Sequence, residues 1–469
     1  MTPAREILLG RDGASRPVVF VAMPTGQVLA NLLALFELAE PGDRVLWLAT
    51  AEAVRLGWME RSRDALTQRC PEVSQGTLLD LAETLDAWGD ACVAFADEVT
   101  KRPPVMIING GTKLLNYSVA EAFRRSGHAR YPVAYASTFR PPGLMLQPAG
   151  HGGRAERIAY GAERFPRMAE VLAASGHRIA AHNKGTCLWR AGTPIDLPPP
   201  QPYGTERAAT FDLHAQVYRW MKRERLPAGP VPNFADADLD GTEKTRLRNA
   251  VDLYLRCHAS DGALGVLYNS FRKVSQRAAD RHRRAAEAAV TAPPEPGTEK
   301  LDVLFEAAVA GRLLALLAAR PDLAAMVGEV WRNVEIAPEG QVAGAPAEFD
   351  VLVLMRHGAA LALECKSGLG LYDPKTDSLS KDMHARAHRL GRTASTIARL
   401  VVCLPMFREA IGTPWQDETL RRWRDTLFGR HPSVFFTLPD DPGGTVETQA
   451  GPLEIPAFDA ELARLIAAA

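Results

Sequence analysis

The sequence predicts an α/β protein built from two units with an irregular stretch between them. Two alternations predict it. Near the start, short continuous apolar runs alternate with helix-period segments, and a second alternation follows the proline-rich stretch Thr291–Gly297. Continuous apolar strands separated by helices are the pattern of a parallel sheet covered on both faces. A third observation is charge on an otherwise apolar hairpin in the second region. The 469 residues, 46% hydrophobic and 23% charged, fit a soluble multidomain chain.

The elements read as follows. Val18 to Ala22 is a buried strand, broken at Met23-Pro24-Thr25-Gly26. Gln27 to Leu38 is a helix with apolar residues at Val28, Leu29, Leu32, Leu35 and Leu38. Strands follow at Val45–Ala49, Val105–Ile108 and Tyr131–Ala136, with a helix over Leu114–Arg125. Residues 1–150 form the first unit on this reading. Residues 151–297 are less regular and mainly helical, with helices over 213–225, 245–257 and 271–289 around a proline run at Pro198–Pro202. Residues 298–469 form the second unit. It holds a helix over Leu301–Ala319, strands over Glu348–Met355 and Ala359–Lys366, a helix over 380–398, a strand over 400–404 and a helix over 417–427.

Charge and cysteine usage exclude several classes. Lys plus Arg and Asp plus Glu balance at 55 each, which rules out a uniformly basic nucleic-acid coat and leaves room for a local basic groove. Six scattered Cys without a C-x-x-C pair form neither a disulfide framework nor a zinc site and fit a reducing cytoplasm. The start has no apolar core of signal-peptide length, and no run reaches the roughly 18 apolar residues of a membrane span. The expectation is a cytoplasmic protein without a membrane partner.

The sharpest chemical signal is Asp350, then thirteen intervening residues, then Glu364-Cys365-Lys366. On a strand, Glu364 and Lys366 share a face and Cys365 takes the other. Burying such charges is costly, and a divalent metal beside the carboxylates supplies a reason. A hairpin loop centred on His357 places Asp350 directly opposite Glu364, whereas a two-residue His357-Gly358 turn places it opposite Cys365. The metal reading therefore requires an odd loop, such as Arg356-His357-Gly358 with Gly358 in the left-handed position. Asp350 and Glu364 would then hold Mg²⁺ or Mn²⁺. Lys366 would position or deprotonate a water, or neutralise charge in the transition state.

A second signal is Asn109-Gly110-Gly111-Thr112-Lys113 between a buried strand and a helix. Glycines there let a ligand approach the backbone, and a helix N-terminus offers free N–H groups. It is neither G-x-x-x-x-G-K-[ST] nor G-x-G-x-x-G. Pro24, Thr25, Gly26 and Gln27 form a loop after the first strand, and Thr50 follows the second. In an open parallel sheet such loops share a crevice.

The Asp350, Glu364 and Lys366 set, with Glu306 on the preceding helix, resembles the PD-(D/E)XK nuclease pattern. Joined to the N-terminal G-G-T-K turn, it resembles the CARF-domain ancillary nucleases of type III CRISPR antiviral defence. The resemblance covers residues 1–145 and 298–410. It implies a Rossmann-like CARF domain with a parallel sheet, plus a C-terminal PD-(D/E)XK restriction-endonuclease-like α/β domain. It further implies a homodimer binding cyclic oligoadenylate, typically cyclic tetra-adenylate, and a metal-dependent endonuclease cleaving single- or double-stranded DNA or RNA. Glu306 becomes the helical acid and a third metal ligand. The family's N-x-T-G-G-T-K has Ile107 and Asn109 here at its first and third positions. The helical stretch Asp302-Val-Leu-Phe-Glu306 shares only its Glu with the family's G-x-W-L-E. The basic segment 272–284, the cluster His384, Arg386, His388, Arg389 and Arg392, and Arg421–Arg424 with Trp423 are candidates for a phosphate groove. The competing readings are a non-enzymatic CARF-type sensor or DNA-binding regulator with a structural nuclease-like unit, and a nucleotide-dependent oxidoreductase. The latter lacks its glycine fingerprint.

Overall fold

A computed structural model describes residues 3–26, 28–78, 93–111, 113–128, 130–137, 142–149, 154–161, 164–180, 185–195, 301–339, 347–366, 378–393, 398–404, 432–435, 443–448 and 451–469. Seven strands build the first sheet: β1 (Val19–Ala22), β2 (Arg44–Leu48), β3 (Ser74–Leu78), β4 (Pro104–Ile107), β5 (Val133–Ser137), β6 (Gly143–Gln147) and β7 (Glu156–Ile158). Their order is β3-β2-β1-β4-β5-β6-β7. The first five pair in parallel, and β6 and β7 continue the sheet antiparallel. The expected parallel sheet is thus extended by an antiparallel edge. A short strand such as β7 carries no periodicity to read.

The chain reverses direction across the sheet between β1 and β4. This is the Rossmann-like switch point, where the loops leaving two neighbouring strands diverge. β1 is buried along its whole length because helices cover both faces. The helix Val28–Leu38 is buried nearly all round, which its Leu-rich sequence permits. At the far end of the sheet, Arg5 of helix Pro3–Leu9 is 2% exposed and pairs with Asp43 through two of its nitrogens. Asp43 also accepts from the backbone N–H groups of Val18 and Glu40, while Arg5 donates to the carbonyls of Ala14, Leu38 and Arg16. This satisfied network anchors the first helix to the start of β1 and β2.

The second sheet contains β8 (His177–Ile179), β9 (Thr186–Arg190), β10 (Thr193–Pro194), β11 (Val327–Pro338), β12 (Ala347–Met355), β13 (Ala360–Cys365), β14 (Ala398–Leu404) and β15 (Ser433–Phe435). Its order is β10-β9-β11-β12-β13-β14-β15, with β8 also on β11. A hairpin of β16 (Gly443–Thr448) and β17 (Gly451–Pro456) stands apart from both sheets. The helices Leu301–Ala319, Ser378–Thr393 and Phe458–Ala468 accompany the second sheet. Among the described residues no helix is long and apolar enough to cross a membrane.

One expectation is corrected. The region 151–297 is not a helical connector where it is described: β7 joins the first sheet, and β8–β10 join the second. These strands are two to five residues long, too short for a period-2 signal, and β8 and β9 find their partner β11 over a hundred residues later, while β10 pairs with β9. The long strand β11 was itself absent from the sequence reading, because Asn333 adopts a positive φ within it and its apolar pattern is irregular. The helices expected over 213–225, 245–257, 271–289 and 417–427, and the linker 291–297, lie outside the described residues.

Removing one member of a buried ion pair leaves the other charged and dry. Arg5→Ala is expected to destabilise the protein by about 3–5 kcal/mol. Chemical denaturation checks this, and a loss under 1 kcal/mol would mean that the pair is dispensable.

Candidate active site and ligand-binding crevice

The β12–β13 hairpin has the odd register that the carboxylate site requires. Val351 pairs with Leu363, Leu352 with Ala362, Val353 with Leu361 and Leu354 with Ala360. The turn between them is Arg356-His357-Gly358. It is closed by Met355 N–H donating to the Ala359 carbonyl at 2.8 Å, and Gly358 has φ 84°. One step beyond the first paired residues, Asp350 and Glu364 face each other. Cys365 accordingly turns into the core beside Cys403 on β14.

The site is dry. Glu364 is fully buried and Asp350 is 7% exposed. Asp350 Oδ2 accepts from the Cys365 backbone N–H at 2.6 Å. Burial drives the Asp350 pKa well above the ordinary carboxylate value, helped by the charges of Glu364 and Glu306; Lys366 and the Cys365 N–H work against it. Glu364 Oε1 is 2.7 Å from Lys366 Nζ and 2.5 Å from an Arg386 guanidinium nitrogen. Its other oxygen, Oε2, has no hydrogen-bond partner among the described residues. For Lys366, burial opposes the charge, but Glu364 and Asp350 outweigh it and hold the pKa above the ordinary lysine value. Lys366 therefore stands as an ammonium near neutral pH. This state suits neutralising charge or orienting a water.

Asp350, Glu364 and Lys366 are thus brought together. Glu306 is felt electrostatically by Asp350. Among the described residues, however, no group of three or more His, Cys, Asp or Glu side chains is arranged to hold a metal ion. Glu306, expected as a third ligand, does not complete such a set. Two carboxylates with one uncompensated buried oxygen still fit a hard divalent cation, since Mg²⁺ commonly takes one or two carboxylates and fills its shell with water. Arg386 is the residue that sequence reasoning undervalued. It sits on helix Ser378–Thr393 among other basic residues, and nothing in its spacing singles it out as the one that reaches Glu364. Segment 272–284 and Arg421–Arg424 with Trp423 lie outside the described residues.

The second candidate site is the switch point itself. The loops 23–26 and 108–111 leave β1 and β4 side by side. Gly110 is pressed against the Met23 carbonyl so closely that a Cβ would collide with it, and Asn31 Nδ2 donates to that same carbonyl at 2.7 Å. Gly111 has φ 80°, a left-handed conformation that glycine adopts without strain. Pro24 and Gly110 are buried, Thr25, Thr50 and Asn109 half-buried, and Gly26, Gly111 and Lys113 exposed. Gln27 and Thr112 lie outside the described residues. Two of these polar groups have structural tasks: Thr50 Oγ1 caps the helix Ala51–Arg55 through the Ala53 N–H, and the Asn109 amide bonds the Ala136 backbone in both directions. Lys113 opens the helix Lys113–Arg125 at the crevice mouth.

One helix touches both the crevice and the hairpin tip, which is the end of the hairpin away from the acid pair. The hairpin tip rests on Val28–Leu38, where a Cβ on Gly358 would lie 2.6 Å from Leu29 Cδ2. Leu29 packs against the cores of both sheets. The same helix carries Asn31, which braces the crevice.

No protein-family model matches the chain, and no curated protein is similar to it. Among solved structures, protein VC1899 from Vibrio cholerae is similar with a TM-score of 0.54 and 12% identity, over 89% of this chain and 94% of that one. Can2 from Sulfobacillus thermosulfidooxidans, in complex with cyclic tetra-adenylate, gives 0.49 and 13% over 96% of each chain. A type III CRISPR defence DNA nuclease activated by cyclic oligoadenylate gives 0.47 and 16%, over 97% of this chain and 52% of that one, so this chain spans about half its length. Identities this low speak to the fold alone, and of the three the likeness to VC1899 carries it: an α/β architecture shared over most of both chains.

Gly110→Ala forces its new methyl against the Met23 backbone. It is expected to disrupt the crevice while leaving the second sheet intact. Backbone amide spectra should show changes confined to the first sheet and its loops; a spectrum unchanged around Met23 and Asn31 would contradict the close contact.

Proposed function

We propose that the chain is a metal-dependent nuclease controlled by a cyclic oligoadenylate, of the CARF-domain ancillary kind used in antiviral defence. The observation that carries this reading is Glu364: a fully buried carboxylate on an apolar strand, opposite Asp350, with one oxygen bridged by two cations and the other unpartnered among the described residues. A surface ion pair would not be buried this way, and an acid with both oxygens satisfied would have nothing left to offer a cation.

In this reading Asp350 and Glu364 hold Mg²⁺ or Mn²⁺, which would lower the pKa of a bound water and offset charge on the scissile phosphate. The Cys365 N–H fixes one Asp350 oxygen and leaves the carboxylate oriented toward its partner. The Lys366 ammonium lies where negative charge builds up during phosphodiester cleavage, and it orients the attacking water by hydrogen bonding. The dry surroundings strengthen each of these interactions. Glu306 contributes negative potential from the helix Leu301–Ala319.

The activator occupies the crevice at the switch point, with Gly110 and Gly111 giving it backbone access and Lys113 meeting its phosphates. Ile108, Leu114 and Tyr117 are exposed at this same end of the sheet. Their exposure supports a second copy of the chain closing over a two-fold symmetric ring ligand. Residues around the acid pair, including His384 and His388 on helix Ser378–Thr393, face a nucleic-acid substrate.

The direct test incubates the full chain with Mn²⁺ and labelled single- and double-stranded DNA and RNA, with and without cyclic tetra-adenylate. Activator-dependent cleavage is expected. Activator binding without cleavage or Mn²⁺ binding would leave a non-enzymatic sensor instead.

The two sites should separate by mutation. Glu364→Ala and Lys366→Ala are each expected to lower the cleavage rate by about 10²–10³-fold, while cyclic tetra-adenylate binds as in the parent by calorimetry. Full cleavage by Glu364→Ala would place the catalytic centre elsewhere. Lys113→Ala is expected to weaken activator binding by roughly ten- to hundredfold, the loss of one charge-assisted hydrogen bond. Unchanged affinity would return Lys113 to the solvent surface.

A further inference from the structure

We infer that Arg386 is the resident counter-charge of Glu364, a positioning residue that competes with a divalent cation for the acid pair and so ties metal loading to the seating of helix Ser378–Thr393. The inference rests on the metal-site reading above and concerns how that site is regulated.

Three observations support it. First, Arg386 and Lys366 converge on the same oxygen, Glu364 Oε1, at 2.5 and 2.7 Å. A carboxylate that is 0% exposed already has a partner in one ammonium, so a second cation on the same atom leaves less negative charge to attract a metal. Second, the guanidinium also donates to the Glu348 carbonyl at 3.1 Å. It straps the helix to the start of β12, two residues before Asp350. Its position over the acid pair therefore depends on how the helix is seated against the hairpin. Third, the side chains of Lys366 and Arg386 are 23% and 24% exposed and meet over a fully buried carboxylate, where like charges repel strongly.

Arginine suits the task because it keeps its charge at any working pH and its planar fork can hold two acceptors at once. A divalent cation approaching Glu364 Oε2 meets the field of this fixed charge a few ångströms away. With Arg386 seated, two cations face an incoming metal. With Arg386 withdrawn, one of them is gone. A movement of helix Ser378–Thr393 is thereby converted into a change in metal affinity.

The test titrates Mn²⁺ by calorimetry into the full-length parent and three variants: Arg386→Met, Arg386→Lys and Arg389→Met. Arg389 is an exposed arginine on the same helix and controls for the loss of one positive charge from that helix. Circular dichroism confirms that each is folded. Arg386→Met is expected to bind Mn²⁺ at least about tenfold more tightly than the parent. Arg386→Lys, which restores the charge, is expected to return to within about threefold of it, and Arg389→Met to stay within about twofold. Equal or weaker binding by Arg386→Met, or equal tightening by Arg389→Met, overturns the inference. Mn²⁺ binding by none of the four proteins overturns the metal-site reading and this inference with it. Cyclic tetra-adenylate binding is unaffected in that case and keeps the first site's reading separate.

Discussion

The three-residue turn Arg356-His357-Gly358 fixes the register of β12 on β13, and the register decides on which face every charge of the hairpin falls. Side chains alternate with a period of two, so a slip of one residue would send Asp350 to the face of Cys365 and separate the two acids. Gly358 makes the odd loop possible by adopting φ 84°. It also lets the tip lie flush on Leu29 of helix Val28–Leu38, where any side chain would collide. One glycine thus sets both the geometry of the acid pair and the seat of the hairpin on the neighbouring unit.

Around that register the structure concentrates charge in a place that repels it. β13 is buried at every position, and the neighbours of Glu364 on β14 are apolar. The charge is tolerated because Lys366 and Arg386 meet one oxygen, and because Asp350 takes a backbone N–H. This is the opposite of the Arg5–Asp43 pair in the first unit. There every donor has an acceptor, both Asp43 oxygens are engaged, and the arrangement anchors a helix. A complete network stabilises. An incomplete one, held in place by a rigid hairpin, stores binding capacity for something from outside.

The first unit prepares its crevice by a different device. Gly110 and the Met23 carbonyl are packed in direct contact and Asn31 braces the same carbonyl, so the two loops at the switch point form one rigid lip. Because Asn31 and Leu29 lie on one short helix, the lip and the hairpin tip are two ends of a single packed element. Packed cores have discrete arrangements and transmit displacement poorly as graded strain. The helix Val28–Leu38 therefore packs against both units.

The sequence by itself determined the local features whose signal lies within a few residues. These are the strand–helix alternation, the break at Met23–Gly26, the glycine turn at Gly110-Gly111, and the choice between an odd and an even hairpin at His357. Period and turn chemistry are written in neighbouring residues, so Asp350 opposite Glu364 was legible. The tertiary structure decided what depends on partners far along the chain. β8 and β9 are too short to announce themselves and become strands because β11 is there to pair with them. Asn109 and Thr50 read as ligand contacts but spend their polar groups on the backbone at Ala136 and Ala53. Glu306 read as a third ligand but does not form a three-acid set with Asp350 and Glu364 among the described residues. Arg386 looked like one basic residue among many on an amphipathic helix. It became the partner of Glu364 only through the packing of that helix against the sheet, because burial and charge pairing depend on distances that spacing along the chain does not encode.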